Sequence, residues 1–367
     1  MKYKFEDIIF NITEKKKPVE EDKYNYIGLE HLESGNLFIS KWGSDTAPEG
    51  EKIVMKKGDV LFGKRRAYQK KVAISPIDGI FSAHGMVLRP KEDVICKEFL
   101  PFFISSEAFL NEAIRISVGG LSPTVNWKDI KELEFDLPSL AEQKVLAEKL
   151  WAAYEVKQSY LKMIAATEEM VKAQFVEMFG NPVTNTKGWA TMSISEVAPE
   201  EPSKDKTKGS VWILNLDMIE SNTGKVIDKI FEEDSNLLSV APFDEGNVLY
   251  SKLRPYLNKV VIPDGKGYAT TELVPLRPKQ DKLNLTFFSH LLRSSNFVSF
   301  ANGIATGTKM PRMPLNDLRK FKCILPPLNL QREFEAIADQ SDKTISELRK
   351  SVDAIDKVIK SLINENL

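Results

Sequence analysis

Residues 58–90 lie on residues 246–278 at a shift of 188 without a gap, and 13 of the 33 pairs are identical. The matched residues are Gly58, Val60, Leu61, Lys64, Arg66, Tyr68, Lys71, Val72, Ile74, Gly79, Leu88, Arg89 and Pro90. The same shift carries Asp129 onto Asp317, Leu137-Pro138 onto Leu325-Pro326, and Gln143 onto Gln331. Upstream, Leu29–Ser34 resembles Leu216–Ser221 at a slightly different shift. Such a chain must build one supersecondary unit twice.

Each copy is followed by a stretch that reads as a long helix. After Pro138 there is neither proline nor glycine until Gly180. An uninterrupted helical pattern of that length suggests a coiled coil, spanning about 60 Å at ~1.5 Å per residue. Pro138 suits the first helical position, while Gly180 and Pro182 suit the stop. The second stretch opens at Leu325-Pro326-Pro327-Leu328. Its apolar residues Ile345, Leu348, Val352, Ile355, Ile359 and Leu362 step by threes and fours, as a coiled-coil seam does. The first has a rougher seam at Leu150, Tyr154, Leu161, Ile164, Val171, Phe175 and Met178, interrupted by Lys157 and Glu168. Amphipathic helices usually pack on their own domain. Two of equal length at equivalent places are expected to pack on each other.

The intervening units read as mixed α/β. Val54–Phe62 has the pattern strand, turn, strand. Lys71–Ile74 and Met86–Leu88 are further strands, and Glu98–Ile116 is a helix repeated over 283–304. Residues 181–189 form a turn-rich linker. The expected division is 1–137, 138–180, 181–325 and 326–367, an α+β arrangement of globular unit, helix, globular unit, helix.

The chain has 367 residues and a net charge of −1, so any basic surface is local. Cys96 and Cys323 lie far apart without a CxxC pattern, which points to reduced structural thiols in a cytoplasmic protein. His31, His84 and His290 are isolated, so no metal is expected. No signal peptide and no apolar run of membrane-spanning length is legible.

Two loops carry polar chemistry in both copies. Lys64, Arg65, Arg66, Lys70 and Lys71 crowd one short segment, with Tyr68 and Gln69 interleaved; the second copy has Lys252, Arg254, Tyr256, Asn258 and Lys259. Lysine and arginine neutralise phosphates, and Arg, Gln and Asn reach base edges. A charge run is usually a solvated loop, but its recurrence at one place favours nucleic acid. Arg66 and Arg254 lead as contacts, being matched across the repeat. The other loop, Val118–Asn126, contributes Ser122 and Thr124; its partner, Thr306–Arg312, contributes Thr308, Lys309 and Arg312. Both could grip phosphate or merely connect. Gly58–Arg65 approximates a phosphate-binding P-loop but ends in Arg65 where a hydroxyl is needed, so it is rejected. Asn181-Pro182-Val183-Thr184 lacks the second proline and the aromatic of an amino-methyltransferase loop. No catalytic constellation is present, and Trp127, Trp151, Trp189 and Trp212 are expected in core or interface.

The paired Leu-Pro-x-Leu-x-x-Gln openings (Leu137–Gln143, Leu325–Gln331), Gly58-Asp59-Val60-Leu61 with Gly246-Asn247-Val248-Leu249, Leu88-Arg89-Pro90 with Leu276-Arg277-Pro278, and Met178-Phe179-Gly180-Asn181-Pro182 together resemble type I restriction-modification specificity subunits over nearly the whole chain. The resemblance implies two target-recognition domains, each reading half of a bipartite double-stranded DNA site. It implies long helices pairing antiparallel about a pseudo-twofold axis, setting the gap and docking modification subunits, two of them. The chain itself would be non-catalytic. Adenine-N6 methylation and cleavage of foreign DNA would belong to the modification and restriction subunits, which would hold S-adenosylmethionine, ATP and Mg²⁺. The isolated chain is expected to self-associate through exposed helix surfaces. The competing readings are a duplicated coiled-coil scaffold that binds proteins, and a fused methyltransferase.

Overall fold

A computed structural model describes residues 1–204, 209–233 and 240–367. The fold forms two compact units: Met1–Leu161 with Arg349–Leu367, and Lys162–Leu348. Each of the two long helices, Leu140–Phe179 and Leu328–Asn364, is therefore divided between both units.

The first unit is built on two four-stranded sheets. In one, Ile9–Ile12, Met86–Pro90, Val60–Phe62 and Val72–Ile74 lie side by side in that order, antiparallel throughout. In the other the order is Lys15–Lys16, Lys52–Met55, Gly79–Phe81, Tyr26–Ile27, the last pair parallel. The expected strands over Val54–Phe62 exist, but the turn passes the chain from one sheet to the other. The second unit repeats the plan: Val248–Ser251 lies between Val260–Val261 and Leu273–Leu276. A separate sheet there runs Ile230–Glu233, Ser210–Leu214, Gly267–Thr270, Val240–Phe243. The hairpin register repeats as well, with Phe62 opposite Val72 and Tyr250 opposite Val260.

The helix expected over Glu98–Ile116 is two helices, Leu100–Ser105 and Glu107–Arg115. Ser106 breaks it: extended backbone lets the hydroxyl accept the Phe109 N–H (3.1 Å) and start a new helix. Ser294 does the same for Phe297 (3.3 Å) between Leu285–Arg293 and Ser295–Ile304.

Pro138 stands just outside the first long helix rather than at its first position. Ser139 and Glu142 form the cap: the Ser139 N–H donates to Glu142 Oε2 (2.8 Å), and the Glu142 N–H to Ser139 Oγ (3.4 Å). The Gln143 side chain of the shared motif is fully buried and ties helix to domain. Its Oε1 accepts the Cys96 N–H (2.8 Å), and its Nε2 donates to Val94 O (3.0 Å) and Pro138 O (2.9 Å). Gln331 repeats this with Asn284 N–H (2.9 Å), Lys282 O (3.0 Å) and Pro326 O (2.8 Å). A glutamine is needed because the site offers one donor and two acceptors at once.

Within each unit the long helices run antiparallel. In the first unit, Leu146, Ala147, Leu150 and Tyr154 share a core with Ile363. Lys157, which interrupts the apolar seam, is ion-paired with Asp356 across the helix pair (2.6 Å). In the second, Phe334 rests edge-on against Phe175 and Phe179 (5.3 and 5.6 Å between centroids). The seam differs from expectation in places, with Phe179 rather than Met178 buried at the end of the first helix. Leu161 is exposed; Ile363, not Leu362, is the buried residue near the end of the second helix. Val145, Val156, Met163, Met170 and Val176 on the first helix are also exposed.

Trp212 is buried, and Trp127, Trp151 and Trp189 are half-buried against the cores. Cys96 and Cys323 are buried free thiols, the latter raised by burial above the ordinary thiol range. Among the described residues no helix is long and apolar enough to cross a membrane.

Candidate nucleic-acid interface

The basic segment Lys64–Lys71 connects the hairpin strands Val60–Phe62 and Val72–Ile74. Its middle, Ala67–Gln69, is a single 3-10 turn, flanked by Arg66 (φ 56°) and Lys70 (φ 51°) in the left-handed region. In the second unit Pro255–Leu257 is the turn, flanked by Arg254 (φ 49°) and Asn258 (φ 50°). A left-handed non-glycine residue costs roughly 1–2 kcal/mol, and four of these recur at matched places. The surrounding hydrogen bonds hold them there, which is how strain at a functional loop persists.

Those bonds tie the basic segment to the glycine-rich loop. Arg66 N–H donates to Pro123 O (2.6 Å) and Val125 N–H to Lys64 O (3.0 Å), a bridge centred on Arg65 and Thr124. Arg254 N–H donates to Pro311 O (2.7 Å) and Met313 N–H to Lys252 O (2.9 Å), centred on Leu253 and Arg312. The glycine-rich loops close on themselves through Val118–Thr124 and Thr306–Arg312, turning at Gly119 (φ 118°) and Gly307 (φ 101°), where a Cβ is strained. Two segments some 50 residues apart thus form one surface, twice.

The cations do not all face solvent. Arg66, Tyr68 and Lys70 are exposed, with Tyr68 at 53% and Tyr256 at 50%. Gln69 and Lys252 are half-buried, while Thr308 and Lys309 are exposed. Lys71 instead donates to Leu29 O (2.7 Å), and Lys259 to Leu216 O. Both brace the short helical turns Leu29–His31 and Leu216–Met218 from beneath. Asn258 is buried, donating to Arg293 O (3.0 Å). These three support the loop.

Burial and the nearby Lys15 charge push the Lys64 ammonium below its ordinary range, as expected where cations gather. Ser122 Oγ accepts from Arg66 Nε (3.2 Å) and Arg65 Nη2 (3.4 Å). Arg65 Nη1 donates to His84 Nε2 (3.3 Å). His84 is lowered by burial and by Arg65, Lys64 and Lys52, so the neutral ring that can accept this bond is favoured. In the second unit Arg312 donates through Nε and Nη2 to Glu272 (2.8–3.2 Å). Sequence reasoning missed His84 and Glu272, which reach the loops by tertiary pairing. Leu121, in the glycine-rich loop, is 96% exposed.

Each α/β unit thus presents a basic, hydrogen-bonded pair of loops and is joined to the paired long helices. The family model described as the type I restriction modification DNA specificity domain matches residues 2–159 and 186–355. The chain belongs to that family and is a specificity subunit of a type I restriction-modification system. It is 24% identical over 345 residues to the type I restriction enzyme EcoDI specificity subunit of Escherichia coli, covering 82% of this chain and 72% of that protein. It is 22% identical over 391 residues to the MjaVIII specificity subunit of Methanocaldococcus jannaschii, covering 98% and 89%. A solved structure concerning complex assembly and conformational transition of the type I R-M system shares the fold (TM-score 0.55, 19% identity, 100% and 97% covered). So does the S subunit from M. genitalium (TM-score 0.53, 14% identity, 99% and 94% covered).

Proposed function

We propose that each globular unit is a target-recognition domain that reads one half of a bipartite site on double-stranded DNA. The domains are 1–137 and 181–325, with helical spacers 138–180 and 326–367. The observation that carries this is the same strained, hydrogen-bonded pair of loops built in both units with lysine and arginine at matched places. Lys64, Arg66, Lys70, Lys252 and Arg254 neutralise phosphates and seat each unit, while residues that differ between the units read bases. The paired helices set the unspecified gap and dock two modification subunits. The exposed apolar residues of the first long helix support such docking. The chain is non-catalytic and holds no cofactor. Adenine-N6 methylation and cleavage, with S-adenosylmethionine, ATP and Mg²⁺, belong to the modification and restriction subunits in the cytoplasm.

The test is to map adenine methylation across the genome of cells carrying this chain with its modification subunits. One bipartite motif that vanishes when the chain is deleted supports the reading. Unchanged methylation refutes it.

A further inference from the structure

Identical residues at matched positions cannot make two half-sites differ. Lys64 with Lys252, Arg66 with Arg254, Tyr68 with Tyr256, and Lys71 with Lys259 are identical across the repeat. The difference between half-sites must lie where the surfaces diverge. At the bridge that joins the two loops, the first unit has Arg65 opposite Thr124, and the second has Leu253 opposite Arg312. Under the shift of 188, Arg65 corresponds to Leu253 and Thr124 to Arg312. One arginine is kept, but it changes strand. His84 corresponds to Glu272, and each contacts the arginine of its own unit.

We infer that Arg65 and Arg312 are the base-reading arginines of the two units, and that His84 and Glu272 are the positioning residues that aim them at guanine. This rests on the reading of each unit as a DNA-recognition domain.

A guanidinium has five N–H donors in a fixed plane, and guanine offers O6 and N7 side by side in the major groove. A flexible arginine loses rotamer freedom on binding; a clamped one has lost it already. Glu272 takes Nε and Nη2 of Arg312, leaving the Nη1/Nη2 end with spare hydrogens; Nη1 also reaches Met310 O at a long 3.5 Å. The Arg312 side chain keeps 44% of its surface exposed, while Glu272 keeps 22%, so the clamp sits behind the reader. In the first unit His84 Nε2 and Ser122 Oγ take one hydrogen each from Nη1 and Nη2 of Arg65, leaving Nε and the remaining hydrogens. The clamps differ in charge: a carboxylate fixes Arg312, and a neutral acceptor fixes Arg65. Carrying the arginine on opposite strands of the bridge displaces the reader relative to an otherwise matched loop. Two units that grip phosphates alike can therefore read different positions.

The experiment is selection from a random duplex library by the full chain together with its modification subunits, for wild type, R312A, R312K, E272Q, R65A, H84A, R66A and R254A. For R312A, discrimination at a guanine in one half-site should fall about 5- to 150-fold, with the other half-site unchanged. R312K should not restore it, because an ammonium lacks the planar fork. E272Q should relax the same base pair as R312A. R65A and H84A should relax one base pair in the opposite half-site. R66A and R254A should weaken binding to all sequences and flatten its salt dependence, leaving the motif intact. An R312A or R65A motif identical to wild type overturns the inference while leaving the proposed function standing. An E272Q motif identical to wild type overturns the positioning role. A wild-type complex that selects no bipartite site overturns both.

Discussion

Replacing Gln331 by Leu tests how the duplicated motif fastens a long helix to its domain. The side chain is fully buried and makes three hydrogen bonds, to Asn284 N–H, Lys282 O and Pro326 O. Leucine is of similar size and leaves all three groups without that partner. An orphaned buried backbone N–H costs about 1–3 kcal/mol, and two carbonyls add a smaller amount. Added apolar burial returns about 1 kcal/mol. The net loss is about 3 kcal/mol, a large fraction of the ~5–15 kcal/mol that holds a typical domain. Urea unfolding followed by tryptophan fluorescence, with native-state hydrogen exchange at the Asn284 amide, measures it. Gln143→Leu should cost the first unit a similar amount, read at the Cys96 amide. The double variant should add to within about 0.5 kcal/mol, since the two clamps share no partner. Gln331→Glu gives a sign check. Its carboxylate can accept from Asn284 but has no hydrogen for the two carbonyls, and burial raises its pKa above the ~4.3 of an unfolded glutamate. The part of the penalty due to ionisation is therefore absent below the unfolded pKa and grows as pH rises through the folded pKa. Acid should partly rescue Gln331→Glu and leave Gln331→Leu unchanged. A loss under about 0.5 kcal/mol for Gln331→Leu would refute the clamp.

His290 is held well below its ordinary value of 6.5 by burial and by Arg293, with which it shares a 2.7 Å hydrogen bond. The neutral ring is the folded form, so stability present above pH 6.5 is lost as pH falls through the depressed pKa. His290→Phe, the residue at the matched position Phe102, should remove that part of the acid sensitivity in a pH series of urea melts. Asp59 is buried and grips Arg89 through both oxygens (2.8 Å each). Asp59→Asn should cost about 1–2 kcal/mol in the same melts, discounted for the partly exposed arginine. Seven residues inserted into Leu140–Phe179 alone should abolish binding to the native site in a gel shift; retained binding would remove the helices from any role in spacing. The purified chain should transfer no labelled methyl group and cut no DNA until the other subunits are added.

The duplication, the two long helices and the basic hairpin loops were legible because each is local or self-referential. A repeat is visible by aligning the chain on itself, a long helix by its lack of glycine and proline, and a cation cluster by counting neighbours. Reading which residues of the cluster stay exposed required the fold. Lys71 and Lys259 match across the repeat, yet both turn inward to backbone carbonyls. His84 looked isolated, and nothing adjacent in sequence marks Glu272. They meet Arg65 and Arg312 only when the sheets bring together segments 19 and 40 residues apart. The glutamine shared by both helix openings could be seen but not explained, since its three partners come from a separate loop and the helix entry. Sequence alone determined that one unit is built twice, because periodicity and turn chemistry act over a few residues. Tertiary structure decided which polar groups are consumed as braces and which remain for a ligand, because hydrogen-bond partners are allotted by proximity in space.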